Sequence, residues 1–136
     1  MLQIRSDKRR DMKAIKLLIS FAFINVAITV HGQDSYTPMK MNKVLASLTK
    51  SKPIAQSEVY DLVISNKCRY LTKNRSYAAP VGIFAKNDVK NGAKGVDEWV
   101  ELDKGNSYVL NNYKWLPTDI YGSKQLHLDF DTLICD

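Results

Sequence analysis

His127, Asp129 and Asp131 alternate along the apolar segment that runs from Leu126 to Ile134. An imidazole and two carboxylates are ligand types for a divalent cation, and they are also the parts of an acid–base site. On a strand the three share one face, with successive members about 7 Å apart. Three groups in line at that spacing suit a solvated strand face better than a single ion. The set is therefore a weak metal candidate, and the expectation for the chain is no metal. No glycine and no closing glutamate follow that would make a calcium loop. His127 is the only histidine after His31, so any histidine-dependent hydrolysis in the body of the chain would run through it.

The thiols are the next candidates. Cys68 and Cys135 are the only cysteines, and in an oxidising compartment they have one intramolecular pairing. That bridge closes a loop of about 68 residues and contributes roughly 4 kcal/mol in the chain-entropy account. It also removes the free thiol that a Cys–His hydrolase needs. No Gly-x-Ser-x-Gly elbow is present. The residue types favour binding over catalysis and carry no cofactor signature. A small hydrolase built on His127 is the catalytic alternative.

Binding chemistry is better represented. Asp97, Glu98, Glu101 and Asp103 surround Trp99, and Trp99, Tyr108, Tyr113, Trp115 and Tyr121 fall within 23 residues. Trp and Tyr combine contact area with a polar handle, which suits interfaces and sugar-stacking surfaces. The stretch Trp99-Val-Glu-Leu-Asp-Lys-Gly-Asn-Ser-Tyr-Val-Leu-Asn-Asn-Tyr113 resembles the last hairpin of bacterial SH3-like domains. There a Trp-x-x-Val strand, a Gly turn, an aromatic-Val strand and a Tyr recur. The resemblance spans these 15 residues and implies binding of cell-wall peptides or glycans; Trp99, Tyr113 and, just past the stretch, Trp115 are the candidate residues for such a module. Read from the residues alone, Asp97, Glu98, Glu101 and Asp103 make an acidic hairpin that carries Trp99, and such a hairpin could plug a basic cleft of a protein partner.

The formal charge of +6 suggests nucleic acid, but its distribution argues otherwise. Residues 1–32 carry six basic and two acidic side chains, whereas residues 33–136 carry 14 and 12. Lys40, Lys43, Lys50 and Lys52 form only a local basic group, so no nucleic-acid partner is expected. Leu17–Val30 is an uncharged apolar run of 14 residues, preceded by Lys13 and Lys16 and followed by Val30-His31-Gly32. As a helix it would rise about 21 Å, short of a bilayer's hydrocarbon core. A basic start, a short apolar run and small residues at −3 and −1 describe a secretory signal peptide cut between Gly32 and Gln33. Met12 opens a compact leader of its own. The expectation is a signal peptide over 1–32 and one exported domain over 33–136, secreted or periplasmic, with no membrane span after cleavage. An uncleaved anchor is the alternative.

These side chains need elements to position them. Thr37-Pro38 is a helix start, and Met41, Val44, Leu45 and Leu48 share one helical face. Ser51-Lys52-Pro53 breaks the chain. Ala55, Val59, Leu62 and Val63 then repeat at helical spacing to about Ser65, with Asn66 as a left-handed cap. The β-branched content of Val59–Ile64 makes a strand the competing reading. After Cys68 the pattern becomes short strands: Arg69–Thr72, Val81–Ala85, Trp99–Leu102, Ser107–Leu110, Tyr113–Leu116 and Gln125–Cys135. Turns are expected across Asn87–Gly95, at Asp103–Asn106, with Gly105 left-handed, and at Asn111-Asn112. The last strand should bury Leu126, Leu128, Phe130, Thr132 and Ile134. The expected fold is α+β, two N-terminal helices packed on a small antiparallel sheet with one disulfide. The expected role is an exported, non-enzymatic binding protein, an inhibitor or immunity-type partner of another exported protein. A cell-wall glycan or peptide module is the alternative.

Overall fold

Thr37 ends the lead-in segment by accepting a hydrogen bond from the Lys40 amide at Oγ1, 3.3 Å, while Pro38 occupies the first helical position. The helix that follows, α1, spans Pro38–Leu48. It buries Met41 and Leu45, half-buries Val44 and leaves Leu48 at the surface. The computed structural model describes residues 33, 35–118 and 122–136 of the chain. The expected leader and its cleavage point lie outside the described residues, as does Tyr121. Every element named below belongs to the compact unit Tyr36–Asp136.

A two-residue strand, β1 (Lys52–Pro53), leads into α2 (Gln56–Ile64). The helix prevails over the strand reading of Val59–Ile64 for two reasons. Val59, Leu62 and Val63 fall on one side and pack on the sheet. The chain then stops at Asn66 with φ 59°, where the Asn66 amide donates to the Val63 carbonyl and the Lys67 amide to the Leu62 carbonyl. Strand β2 (Cys68–Ala78) runs on from this cap and is longer than the Arg69–Thr72 expectation.

The central part of the chain departs most from the sequence reading. Val81–Ala85 is not a strand, Asn87–Gly95 is not a turn region, and Trp99–Leu102 is not half of a hairpin. Ala85–Leu102 is one 18-residue helix, α3. Val89, Ala93, Val96 and Val100 recur at i, i+4, i+7 and i+11, all buried. That period outweighs the Asn91-Gly92 turn signal. The glycines serve close approach instead. A Cβ on Gly92 would stand 2.9 Å from Leu128 Cδ1, and one on Gly95 would stand 2.0 Å from Tyr77 Cε1. The connection after α3 does use a left-handed residue, but it is Lys104, φ 59°, rather than Gly105. A Cβ on Gly105 would meet the Leu133 carbonyl oxygen at 2.5 Å.

Strands β3 (Ser107–Pro117) and β4 (Lys124–Cys135) complete a four-stranded sheet of order β1-β3-β4-β2. β4 is antiparallel to both neighbours, while β1 is parallel to β3, so the sheet is mixed rather than wholly antiparallel. Asn111-Asn112 is not a turn. It lies inside β3, at a register shift between Leu110 and Asn112, and β2 is shifted likewise between Tyr70 and Arg75. The α+β class holds, with a third, central helix beside the two N-terminal ones. Leu126, Leu128, Phe130, Tyr108 and Leu110 pack with α1 and α3 on one face of the sheet. Ile54, Cys68, Val109 and Leu133 pack with α2 on the other. Ile134, expected in the core, is exposed, because the face it shares with Thr132 ends there. Cys68 and Cys135 are cross-strand partners and form the expected disulfide, 67 residues apart.

Helix propensity favours alanine over glycine by about 1 kcal/mol at an interior position. Contact at Gly95 reverses the sign, since an added methyl must drive the Tyr77 ring off the core. Gly95→Ala should destabilise the domain by about 1–3 kcal/mol, read as a lower urea midpoint.

Candidate functional site

The expected acidic hairpin is a helix end, and its four carboxylates separate into two kinds. Asp97 is bound to main chain: its oxygens accept from the Lys50 amide at 2.8 Å and the Ser51 amide at 3.0 Å, holding the turn after α1. Asp103 caps the end of α3 and is bound to the sheet. Arg75 on β2 donates to it through Nη2, 2.5 Å, and Nε, 3.2 Å, and Thr132 on β4 donates at 2.7 Å. The Arg75 hydrogen bond above all, with the Thr132 bond, the Arg75 charge and Thr72, holds the Asp103 carboxyl below its usual range against the opposing effect of burial. Glu98 and Glu101 are exposed on α3. A plug made of all four carboxylates is therefore not formed.

The aromatics are partly occupied as well. The Arg75 guanidinium lies 4.0 Å above the Trp99 ring, so one face of that indole is covered by a cation. Tyr113 donates its hydroxyl to the Tyr36 carbonyl at 2.5 Å. The Trp115 ring is tilted against Tyr36 with centroids 6.3 Å apart. Trp115 Nε1 is buried and has no hydrogen-bond partner among the described residues. Trp99, Tyr113 and Trp115 all pack against the α1–α3 core, as structural aromatics do. With Trp99 on a helix, the SH3-like hairpin is absent and the resemblance ends at the sequence.

His127, Asp129 and Asp131 do share a strand face, on the α2 side of β4. The register sets His127 between Ala78 and Lys114, and Asp129 between Ser76 and Asn112. Ser76 Oγ donates directly to Asp129 Oδ1 at 2.8 Å, without an imidazole between them. That is not the order of a Ser–His–Asp relay, in which the histidine stands in the middle. Asp131 is buried, and its Oδ1 accepts from the Asn74 amide and from Asn111 Nδ2, both at 2.8 Å. One carboxylate thus pins the irregular residues of both flanking strands. Among the described residues no group of three or more His, Cys, Asp or Glu side chains could hold a metal ion.

A concave feature of the domain lies elsewhere. β1 covers only the start of β3: Lys52 pairs with Ser107 and Pro53 with Tyr108, and the Ile54 amide donates to the Tyr108 carbonyl. Past that point no described strand pairs with the outer edge of β3. Gln56 Nε2 donates to the Leu110 and Asn111 carbonyls, 3.0 Å each, closing the gap where β1 ends. Counting from Tyr108 and allowing Asn111 as the extra residue, strand alternation turns the main-chain groups of Tyr113 and Trp115 to the open edge. Alongside runs an open groove of about 880 Å³ between α1 and the start of α2. Met39, Ala46, Pro53, Ile54, Leu110 and Tyr113 give it an apolar lining. Of the expected binding residues only Tyr113 reaches it. The pair Asn111-Asn112 is the sequence signal for the bulge beside the groove, since such a pair marks a bulge as readily as a turn.

No protein-family model matches the chain, and no curated protein or solved structure matches it either.

Asp103 gives a pH test. Its folded pKa lies below the ordinary 3.8, so its contribution to stability is complete above that value and is lost as pH falls through the lower, folded one. Asp103→Asn should cost about 2 kcal/mol at neutral pH. Denaturant midpoints taken from neutral pH to below 3.8 should fall more steeply for the parent than for the variant.

Proposed function

We propose that this chain is an exported binding protein that engages another exported protein, as an inhibitor or immunity-type partner, by taking an extended segment of it along the open edge of β3. The observation that carries the reading is the edge from Asn112 to Pro117, with which no described strand pairs, beside an apolar groove. Main-chain groups on such an edge recognise any extended chain, and side-chain pockets next to it select which one. β1 already pairs with the first residues of the same edge, so an added strand would continue an existing line of pairing. The remaining edge is bounded by the Gln56 amide on one side and by Pro117, which has no N–H to donate, on the other. That leaves room for a short strand, enough for recognition and short enough to limit self-association. The disulfide is compatible with an oxidising, exported setting. Of the two carboxylates in the acid–base candidate, Asp131 is tied to Asn74 and Asn111, and Asp129 accepts from Ser76.

A photo-crosslinking side chain placed at Asn112 in the producing cell tests this. A single exported protein should be captured from Asn112 and not from Arg69, on the opposite edge of the sheet. In the purified complex the Tyr113 and Trp115 amides should be protected from hydrogen exchange. Equal capture from both edges, or no protection at those two amides, would overturn the reading.

A further inference from the structure

Between β2 and α3 the chain turns through Pro80-Val-Gly-Ile-Phe84, and its large side chains face outward. Ile83 is 87% exposed, Phe84 62% and Val81 42%. This is not a loose loop. The Gly82 amide donates to the buried Asp88 carboxylate at 2.5 Å, and Asn91 Nδ2 donates to the Pro80 carbonyl at 3.1 Å. The tip is held in place from behind while its apolar side chains remain in water, a cost the fold itself does not explain.

Directly behind the tip, Lys86, Lys90 and Lys94 stand at i, i+4 and i+8 on α3, all exposed. The order of charges on this helix is opposed to its dipole. Lys86 and Lys90 lie in its first half and Lys94 just past its middle, and Asp97, Glu98 and Glu101 follow toward its C-terminus. The one acidic residue of the first turn, Asp88, is turned inward to the Gly82 amide. The N-cap position, Phe84, supplies no side-chain acceptor, so no side chain offsets the positive end of the helix there. Lys86 Nζ lies 5.9 Å from the Phe84 ring, close behind the tip. Lys124 stands at the same end of the sheet, where Gln125 donates to the Ala79 carbonyl.

We infer that this tip and its lysine stripe dock the protein on an anionic lipid surface, with Val81, Ile83 and Phe84 entering the headgroup region and Lys86, Lys90 and Lys94 meeting lipid phosphates. Aliphatic and Phe side chains backed by lysines are the composition of interfacial membrane binders. Lysine stems can lie along apolar surface while their ammonium groups stay with the phosphates. A protein-binding surface is the poorer fit, because such surfaces are depleted in Lys, and three lysines back this tip. The tip is also a rigid convex point, not a broad patch. The inference is independent of the β3 edge and stands or falls on different residues.

The test uses the full chain throughout, so that residues 1–32 contribute equally to parent and variants. Ile83→Trp places a reporter at the tip. Vesicles contain either equal parts of phosphatidylcholine and phosphatidylglycerol or phosphatidylcholine alone, with brominated acyl chains as quenchers. The reporter should shift to the blue and be quenched by the anionic vesicles and not by the neutral ones. Each lysine near an anionic surface is worth about fivefold in partitioning. Adding Lys86→Gln, Lys90→Gln and Lys94→Gln together should therefore weaken the quenching response roughly a hundredfold, with α3 retained because Gln is a good helix former. An unquenched reporter, or equal quenching in the triple variant, would overturn the inference. Quenching-free burial of the reporter by an acidic protein, in the absence of lipid, would overturn it too and assign the surface to a protein.

Discussion

β4 is flanked by strands on both edges and, over Asp131–Leu133, buried on both faces, and the rest of the domain is arranged to make that possible. Its even-numbered side chains, Leu126, Leu128, Phe130 and Thr132, are fully buried under α1 and α3. Leu133, on the other face, is fully buried under α2. A strand buried on both sides has no solvent to satisfy stray polar groups, so each must find a protein partner. Thr132 finds Asp103, and Asp131 finds Asn74 and Asn111. The close seating of α3 on this strand requires the small residues Gly92, Ala93 and Gly95. The irregularities of β2 and β3 are both referred to one carboxylate on it. Edges and loop tips farther from β4 are where the chain has exposure to spare.

The sequence shows those parts of the fold whose causes are local. Thr37-Pro38, the Met41–Leu45 stripe, the Asn66 cap, the last strand and the pairing of the cysteines each depend on a few neighbouring residues, and each is found where the sequence places it. Residues 81–102 mislead for a physical reason. Asn91-Gly92 is a turn signal in isolation, and glycines lower helix propensity. Their purpose here is contact with Leu128 and Tyr77, residues far away in the chain. The helical period of Val89, Ala93, Val96 and Val100 was available as the counter-signal. The candidate site suffers the same limitation. Glu98, Trp99, Glu101 and Asp103 form one group in sequence, but their partners come from β2 and β4, which disperse them. The groove along β3 exists only because β1 is two residues long, and no periodicity reports the length of so short a strand.

Two features stand out because folding does not require them. The outer edge of β3 could have been covered by a longer β1, and the dipole of α3 would be better served by carboxylates at its start and lysines at its end. Natural domains accept such departures from local consistency chiefly where a surface has another use. The two departures lie on different elements and differ in chemistry, one offering main chain and an apolar groove, the other apolar side chains and positive charge. A protein that engages a polypeptide along one edge while resting on an anionic surface by another would need both.

The bridge between Cys68 and Cys135 has a bearing on what a protease cut would do to the domain. Every strand except β1, together with α3, lies between the two sulfurs or at them. The exposed Val81–Phe84 tip lies within the loop that the bridge closes. A single cut at that tip would leave both pieces covalently joined, with β2 still held beside β4 at its cysteine end. The cleaved ends would remain at high effective concentration, and the sheet could persist as a nicked but assembled domain.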